Sequence, residues 1–398
     1  MQNISDRVMS LASSQTLAMS QKSAELKAQG VDVINLSVGE PDFHTPRHIK
    51  DAAVKAIEDN FSFYSPVPGF MSLRKAIAAK LTRENGLNFA PEQIVVGNGA
   101  KQALCNVILA TVNPGDEVII PTPAWVSYIE MVKLAEGKFV LVPAGLETDF
   151  KITPEQLEAA ITERTRAIIL CSPSNPTGSV YSHDELQALV DVLVRHPQVL
   201  IIADEIYEHI IYDNLRFTSL ASFPAIAHRT VVINGVSKAY AMTGWRIGYC
   251  AAPLEIAAAV AKLQGQYTSG ASSIAQKAAE AAYTGPQECV EEMRQAFERR
   301  RDLVVRLARE IPGFKVREPK GAFYLFPEVS AYFGKSAHGY NITHSSSLAM
   351  YLLEVANVAT VDGAAFCAPG YIRLSYATSD ENLVEAFSRI KAALADLK

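Results

Sequence analysis

Cysteine is scarce in this sequence, and the few that occur are irregularly placed. The five thiols have neither the spacing of a metal site nor that of a redox pair. They are Cys105, Cys171, Cys250, Cys289 and Cys367. This pattern gives no sign of a disulfide framework and predicts buried thiols in a reducing compartment.

Long hydrophobic runs are also missing. No run approaches the roughly 20 apolar residues that a membrane-spanning helix needs. Residues 1–30 lack the basic start, apolar middle and small-residue cleavage site of a secretory signal. We therefore expect a cytoplasmic protein.

Neither sign of charge dominates the chain. A net charge of -5, with 49% apolar and 20% charged residues, gives no general attraction to nucleic acid or to anionic membranes. His44 and His48 are spaced four apart, but Pro46 lies between them, so no metal site is predicted. The expected partner is therefore a small molecule. The chain has 398 residues, which is long enough for two domains.

Seven short apolar runs alternate with helical patterns in the first two thirds of the chain. The runs are Ile94–Val96, Glu117–Ile120, Phe139–Val142, Ala167–Cys171, Leu200–Ala203, Val231–Ile233 and Arg246–Ala251. Strands that are apolar on both faces are typical of a mostly parallel sheet covered by helices on each side. Capping-box patterns at Thr153–Gln156 and Ser182–Glu185 mark two of the intervening helix starts. The fold class is α/β.

A smaller α+β unit is predicted after residue 290. Its expected elements are a helix at Glu291–Glu310, strands at Ala322–Phe326, Val358–Val361 and Ile372–Tyr376, a helix near Ser345–Val355 and a final helix from Glu381. The helix Thr16–Gln29 and the strand Val33–Leu36 have no partner in the parallel series. We therefore predict an amino-terminal arm that forms part of the small domain at 1–45, a large domain at 46–290 and a small carboxyl-terminal domain at 291–398.

Ligands of open α/β sheets bind at the carboxyl ends of the strands, so polar residues there are the candidate site. Lys238 follows the sixth apolar run, where partial desolvation would let its amine lose charge and form a Schiff base. Most lysines at strand ends simply keep their charge in water. Ser237 and Arg246 add a hydroxyl and a guanidinium that suit a phosphate.

The turn Gly97–Lys101 follows the first run and precedes a helix. It offers backbone N–H groups for an anion, although a plain strand-to-helix turn would have the same pattern. Lys101 in the first helical turn opposes the helix dipole unless an anion lies nearby. The alternative is a lysine that extends into solvent.

Three further strand ends carry candidate groups. Trp125 could stack on a flat ring or belong to the core. Asn175, in a proline-rich run, is followed by a bond that is either cis or part of an ordinary turn. Asp204 ends a strongly apolar strand, so a cation such as a protonated ring nitrogen should meet it, unless it caps a helix or pairs with an arginine. Tyr207 offers a phenol beside it.

In this order, the motifs resemble fold-type I pyridoxal-phosphate enzymes, specifically class I aminotransferases of the aspartate aminotransferase kind. The resemblance spans nearly the whole chain and rests on Tyr64, Gly97–Lys101, Trp125, Ser174–Gly178, Asp204, Tyr207, Ser237, Lys238, Arg246 and Arg373. It implies a seven-stranded, mostly parallel sheet with helices on both faces and a smaller α+β domain.

The resemblance also implies roles around pyridoxal 5′-phosphate. Lys238 would hold the cofactor covalently and carry the proton between substrate and cofactor, and Asp204 would pair with the ring nitrogen. The other implied cofactor contacts are Tyr207 and Asn175 at the ring oxygen, Trp125 on the ring face, and Gly99, Ala100, Lys101, Ser237 and Arg246 at the phosphate. Tyr64 would reach the phosphate in the neighbouring subunit, which implies a homodimer with shared sites.

For the substrate, the resemblance implies that Arg373 binds the α-carboxylate, with Trp125 and Asn175 close by, and that Gly39 lies in a segment that closes over it. The Asn-Gly-Ala-Lys sequence at Asn98–Lys101 is similar to a bacterial subgroup in which that lysine meets the distal carboxylate, helped by hydroxyls here at Ser14 and Thr16.

The expected reaction is a ping-pong transfer of the amino group of L-aspartate to 2-oxoglutarate, which gives oxaloacetate and L-glutamate. Alternatives are an aminotransferase for aromatic or alanine-type amino acids, one that accepts prephenate, or a carbon-sulfur β-lyase. Members of the subgroup that accept prephenate tend to carry a lysine where this chain has Ala12, which weighs against prephenate. A non-enzymatic regulator is disfavoured because the chain has no room for a DNA-binding domain.

Overall fold

The computed structural model describes residues 3–12 and 15–398. The helices are α1 (Asp6–Met9), α2 (Gln15–Ala28), α3 (Arg47–Glu58), α4 (Met71–Asn85), α5 (Ala100–Thr111), α6 (Ser127–Leu134), α7 (Pro154–Ala160), α8 (His183–Val194), α9 (Pro224–Ala227), α10 (Leu254–Tyr267), α11 (Ser273–Thr284), α12 (Glu288–Arg309), α13 (Ser345–Glu354) and α14 (Asp380–Ala395). The strands are β1 (Ile34–Asn35), β2 (Ile94–Asn98), β3 (Glu117–Thr122), β4 (Lys138–Pro143), β5 (Thr165–Cys171), β6 (Leu200–Asp204), β7 (Thr230–Gly235), β8 (Ile247–Ala251), β9 (Tyr324–Leu325), β10 (Ser336–Ala337), β11 (Tyr340–Asn341), β12 (Val358–Ala359), β13 (Val361–Asp362) and β14 (Ile372–Ser375).

The seven predicted apolar runs form one sheet, in the order β2-β8-β7-β6-β5-β3-β4. All neighbouring pairs are parallel except those of β8, which runs antiparallel to β2 and β7. Strands β6, β7 and β8 are buried along their whole length, as expected for a sheet covered on both faces. The prediction of a mostly parallel seven-stranded α/β fold is confirmed.

The direction of β8 follows from its connection to β7. Only residues 236–246 join the two strands, and a parallel crossover of the usual kind needs a helix long enough to span the sheet. The chain therefore turns back on itself. As a result, the amino end of β8 lies at the same edge of the sheet as the carboxyl ends of its parallel neighbours.

Both predicted capping boxes are present. Thr153 and Ser182 each accept a hydrogen bond from the backbone N–H three residues later, and Gln156 and Glu185 return bonds to the cap backbone. Satisfying these N–H groups fixes where α7 and α8 begin, and so fixes the loops that precede them.

The carboxyl-terminal part forms a three-stranded antiparallel sheet in the order β13-β14-β9, with α12, α13 and α14 around a common core. The expected strand Val358–Val361 is wrong as a single element: β12 pairs in parallel with β1, and β13 pairs with β14. The chain changes partners at Thr360 because two different sheets flank it. The β1–β12 pairing ties the amino-terminal arm to this part, and the domain boundaries stay a prediction.

All five cysteines are free thiols. Within residues 3–12 and 15–398, no helix is long and apolar enough to cross a membrane. The same residues contain no group of histidine, cysteine and carboxylate side chains arranged to hold a metal ion.

Candidate active site

A cleft of about 490 Å³ opens at the edge of the main sheet where β2, β3, β5, β6 and β7 end. It brings together eleven of the residues predicted from the sequence: Gly39, Ala100, Lys101, Trp125, Asn175, Asp204, Tyr207, Ser237, Lys238, Arg246 and Arg373. Most of these residues follow strands of the main sheet that are far apart in sequence, which is the position expected for a ligand site in an open α/β sheet, whereas Gly39 and Arg373 come from outside that sheet.

Lys238 lies three residues beyond the end of β7, inside the cleft. Its Nζ donates a hydrogen bond to the Gly39 carbonyl oxygen at 2.6 Å and lies 5.6 Å from the centre of the Tyr207 ring. Burial lowers the pKa of Lys238 to about 8, against the opposing effect of Glu40. Near neutral pH, this amine is therefore uncharged far more often than a lysine in water, as a nucleophile or general base requires.

Asp204 is the last residue of β6 and is buried. Its Oδ2 accepts a hydrogen bond from the Tyr128 hydroxyl at 2.6 Å, and its Oδ1 accepts one from the Ile206 N–H at 3.3 Å. Burial raises the pKa of the carboxyl group, and the hydrogen bond from Tyr128 is the largest effect that opposes the increase. Asp204 caps no helix, and no arginine of the described residues pairs with it, so neither structural alternative explains its position.

Glu205 is the next residue and is also buried, but it does not line the cleft. Its Oε1 accepts hydrogen bonds from the Ser219 hydroxyl at 2.7 Å and the Leu220 N–H at 3.3 Å. Burial raises the pKa of Glu205 to about 8. The two adjacent carboxyl groups thus face different surroundings, and Asp204 alone meets the cleft.

Arg246 lies beside the turn between β2 and α5. Its Nη1 donates to the Thr243 carbonyl oxygen at 2.9 Å, and its Nη2 donates to the Asn98 carbonyl oxygen at 3.2 Å. Gly99 has φ +83°, and a Cβ there would lie 2.3 Å from the Arg246 Nη2. The positive φ and the close guanidinium together favour glycine at position 99. The backbone N–H groups at the amino end of α5, with Ser237 and Arg246, could bind an anion.

Arg373 in β14 is 2% exposed. Its Nη1 donates to the Asn175 Oδ1 at 3.0 Å, its Nη2 donates to the Ser37 carbonyl oxygen at 2.6 Å, and its Nε has no partner within the described part of the chain. The guanidinium lies 4.5 Å from the centre of the Tyr324 ring. Arg373 lines the cleft, and a buried guanidinium that no carboxylate of the described residues neutralises fits a carboxylate ligand.

Lys101 is exposed in the single chain, yet its ammonium lies at the cleft, 4.6 Å from the centre of the Trp125 ring. Desolvation and the positive charge of Arg246 lower its pKa. No carboxylate among residues 3–12 and 15–398 forms an ion pair with it. The positive charge of Lys101 at the amino end of α5 is therefore unfavourable in the described part of the chain, unless a bound anion neutralises it.

Of the other four predicted residues, Gly99 and Tyr64 do not line the cleft, and the side chains of Ser14 and Thr16 are not described. Gly99 stands directly behind it, against Arg246. Tyr64 lies outside the cleft and is 98% exposed. Ser14 falls outside the described residues. Thr16 belongs to α2, but the structure does not describe its side chain.

Several residues that line the cleft were missed by reasoning from the sequence. They are Ser20, Val38, Glu40, Tyr128, Cys171, Ile206, Thr243 and Tyr324. Tyr128 and Cys171 were within reach of the strand-end rule, since Cys171 ends β5 and Tyr128 lies in the helix that follows β3. Tyr324 carried no such signal. Its hydroxyl lies 2.7 Å from that of Tyr207, and a Cβ on Gly39 would meet the same hydroxyl at 2.7 Å.

The family model of class I and II aminotransferases matches residues 31–390. The chain belongs to this family. It is 52% identical over 396 residues to an aspartate/prephenate aminotransferase of Cereibacter sphaeroides, an alignment that covers 99% of each chain. It is also 47% identical over 389 residues to an aspartate aminotransferase of Rhizobium meliloti, covering 97% of this chain and 95% of the relative.

Solved structures agree with this assignment. The aspartate aminotransferase of Rhizobium meliloti superposes with a TM-score of 0.96 at 46% identity over all of both chains. The enzyme of Thermus thermophilus, solved with maleate, superposes with a TM-score of 0.92 at 42% identity, covering 99% of this chain and 100% of that one. The fold-type I class and the resemblance predicted from the sequence are both confirmed.

The enzyme is an aminotransferase that depends on pyridoxal 5′-phosphate. The cleft fits this cofactor chemically. A desolvated amine can meet the aldehyde, a buried carboxylate without a cationic hydrogen-bond partner can meet a protonated ring nitrogen, and the glycine-lined start of α5 with Arg246 can meet the phosphate.

Proposed function

We propose that the protein is an aspartate aminotransferase that transfers the amino group of L-aspartate to 2-oxoglutarate in a ping-pong cycle. The observation that carries the proposal is the pair of cations at the cleft, Arg373 and Lys101, neither of which pairs with a carboxylate of the described residues. Two separate positive groups suit a substrate with two carboxylates. The names of the relatives above point to the same substrate.

Seven groups of the chain would hold the cofactor. Lys238 would bond to it covalently, Asp204 would pair with the ring nitrogen, Tyr207 and Asn175 would donate to the ring oxygen, Trp125 would cover the ring face, and Ser237 and Arg246 would bind the phosphate with the first amides of α5. When bound, pyridoxal phosphate supplies a carbonyl carbon that reacts with amines and a ring that accepts electrons.

Other residues would bind the substrate, move its proton and exclude water. Arg373 would orient the α-carboxylate with its planar fork, and Lys101 would bind the distal carboxylate. Once the substrate amine has replaced it on the cofactor, the freed Lys238 amine would take the proton from the substrate Cα, for which its lowered pKa is suited. The segment containing Gly39 would keep water out of the cleft.

Lys101→Met tests the substrate assignment. Because one charge-assisted contact to the distal carboxylate is lost, we expect kcat/KM for L-aspartate to fall about 100-fold. The value for L-alanine, which lacks that carboxylate, should change by less than about threefold. Steady-state assays with both donors measure the difference. Lys75→Met, an exposed lysine on α4, is the matched control. An equal loss with both donors would contradict the assignment.

Prephenate is a second candidate substrate. It also carries two carboxylates, and the relative from Cereibacter sphaeroides is named for both aspartate and prephenate. Against it stands Ala12, whose N–H donates to the Glu130 Oε2 at 2.8 Å and which brings no positive charge. Turnover of prephenate with L-aspartate at a rate close to that of 2-oxoglutarate would establish this activity.

We further propose that the enzyme is a cytoplasmic homodimer in which Tyr64 serves the partner's site. Tyr64 and Phe63 are 98% and 82% exposed in the single chain, an unusual position for two adjacent aromatic residues. Light scattering should give twice the chain mass of 43.2 kDa. Tyr64→Phe should weaken cofactor binding about tenfold without dissociating the dimer. A fully active monomer would contradict the shared site.

A further inference from the structure

Residues 37–42 form a strand-free segment along one side of the cleft, here termed the covering segment. Val38, Gly39 and Glu40 line the cleft directly. Its bonds to the cleft are those from Arg373 Nη2 to the Ser37 oxygen at 2.6 Å, from Lys238 Nζ to the Gly39 oxygen at 2.6 Å, and from Thr243 Oγ1 to the Glu40 Oε2 at 2.8 Å.

Two of these three bonds use groups that the proposed function needs elsewhere. The Lys238 amine holds the cofactor, and the Arg373 guanidinium binds the substrate carboxylate. The groups that hold the covering segment at Ser37 and Gly39 are therefore the same groups that the substrate and the cofactor would engage. The bond between Glu40 and Thr243 differs from the other two, because it uses neither Lys238 nor Arg373. It can therefore persist when the cofactor and the substrate are bound.

The outer end of the covering segment has its own anchor. Arg300 in α12 donates from Nη1 and Nη2 to the two carboxylate oxygens of Asp42, at 2.7 and 2.9 Å. The bond between Glu40 and Thr243 instead holds the inner end, next to the reacting groups. Thr243 belongs to the same loop as Lys238 and accepts a hydrogen bond from Arg246 through its carbonyl oxygen at 2.9 Å.

We propose that Glu40 is a positioning residue, whose hydrogen bond with Thr243 keeps the covering segment over the cleft while the cofactor and substrate occupy Lys238 and Arg373. This inference rests on the proposed function, because it assigns those two groups to ligands. A segment that is not held at its inner end lets substrate leave before reaction. The loss of the bond therefore raises KM more than it lowers kcat.

A double-mutant cycle on the holoenzyme tests this role. Thr243→Val removes the donor while keeping the shape of the side chain, and we expect it to raise KM for L-aspartate about fivefold, with kcat within about twofold. In a Glu40→Ala background, the same substitution should leave KM within about twofold, because the bond is already absent. Thr243→Ser keeps the hydroxyl and should restore KM to within about twofold of wild type.

Three outcomes would overturn the proposal: an equal rise in KM in both backgrounds, no rescue by Thr243→Ser, or a loss of pyridoxal phosphate affinity that matches the rise in KM. The last would show that Thr243 acts on the phosphate site through Arg246. Melting temperatures of the holoenzymes identify any variant that is simply misfolded, for which Thr243→Ala then replaces Thr243→Val. Failure of the wild-type enzyme to use L-aspartate would refute the proposed function instead, and the cycle would be run with the donor that it does use.

Discussion

Replacing Lys238 by alanine is expected to lower turnover of L-aspartate about 10⁴-fold or more, since it removes both the covalent attachment and the proton carrier. The amine is desolvated, with a pKa of about 8, and already lies within the cleft. Among the described residues, no other lysine is placed to substitute for it, because the second lysine that lines the cleft, Lys101, lies over the Trp125 ring. Steady-state kinetics measure the loss.

Borohydride reduction separates this role of Lys238 from a structural one. Reduction should fix the cofactor to the wild-type chain at Lys238, and mass spectrometry should find no such adduct in Lys238→Ala. Lys50→Ala, an exposed lysine on α3, should keep both the adduct and the activity. Full turnover by Lys238→Ala would refute the mechanism.

Asp204→Asn is expected to lower turnover about 10³-fold, with little change in the fold, because the substitution keeps the size of the side chain and removes its charge. The bond from the Tyr128 hydroxyl at 2.6 Å can be made to an amide oxygen as well. What is lost is the negative charge that keeps a ring nitrogen protonated and the ring able to accept electrons. The measurement is kcat with L-aspartate at saturating cofactor.

Glu205→Gln is the matched control for Asp204→Asn. Glu205 is also a buried carboxyl group, but it is bonded to Ser219 and does not line the cleft. With a pKa of about 8, it is largely uncharged at neutral pH, so its amide should leave turnover within about threefold of wild type. Equal losses in the two variants would show that burial of a carboxyl group, and not its charge at the cleft, is what matters.

Much of this site can be predicted from the sequence because many of its residues directly follow strands. Apolar runs that end in a polar residue identify both a strand and its carboxyl end, so Asp204, Lys238 and Trp125 are recognisable as strand-end groups from the pattern alone. Arg246 is recognisable too, although the reason for its position, the reversed direction of β8, is visible only in the sheet. Turn residues and caps are local signals, which is why both capping boxes are correct.

Residues that meet through tertiary packing alone give no such signal. Tyr324 comes from β9 and reaches Tyr207 from another sheet, and Glu40 reaches Thr243 across about two hundred positions of sequence. The division of Val358–Val361 into two strands at Thr360 is missed for the same reason. One apolar run has the same sequence pattern whether it pairs in one sheet or in two. The roles of the site residues stay predictions, and Tyr64, Ser14 and Thr16 are the ones for which the structure shows no place in the cleft.

By itself, the sequence determined the α/β class, the edge of the sheet where the cleft lies, and the identity of the amine, carboxylate and guanidinium that gather there. These are consequences of hydrophobic patterning, which is local, and of the general rule that ligands of parallel sheets bind at the carboxyl ends of the strands. Only the tertiary structure decided the pKa values of those groups and the hydrogen bonds that they make. Burial lowers the pKa of Lys238 and raises that of Asp204, and the carbonyl oxygens of Gly39 and Ser37 accept hydrogen bonds from Lys238 and Arg373, the two groups proposed to bind ligands. Desolvation and competition for hydrogen bonds depend on distances between distant segments, which no local pattern contains.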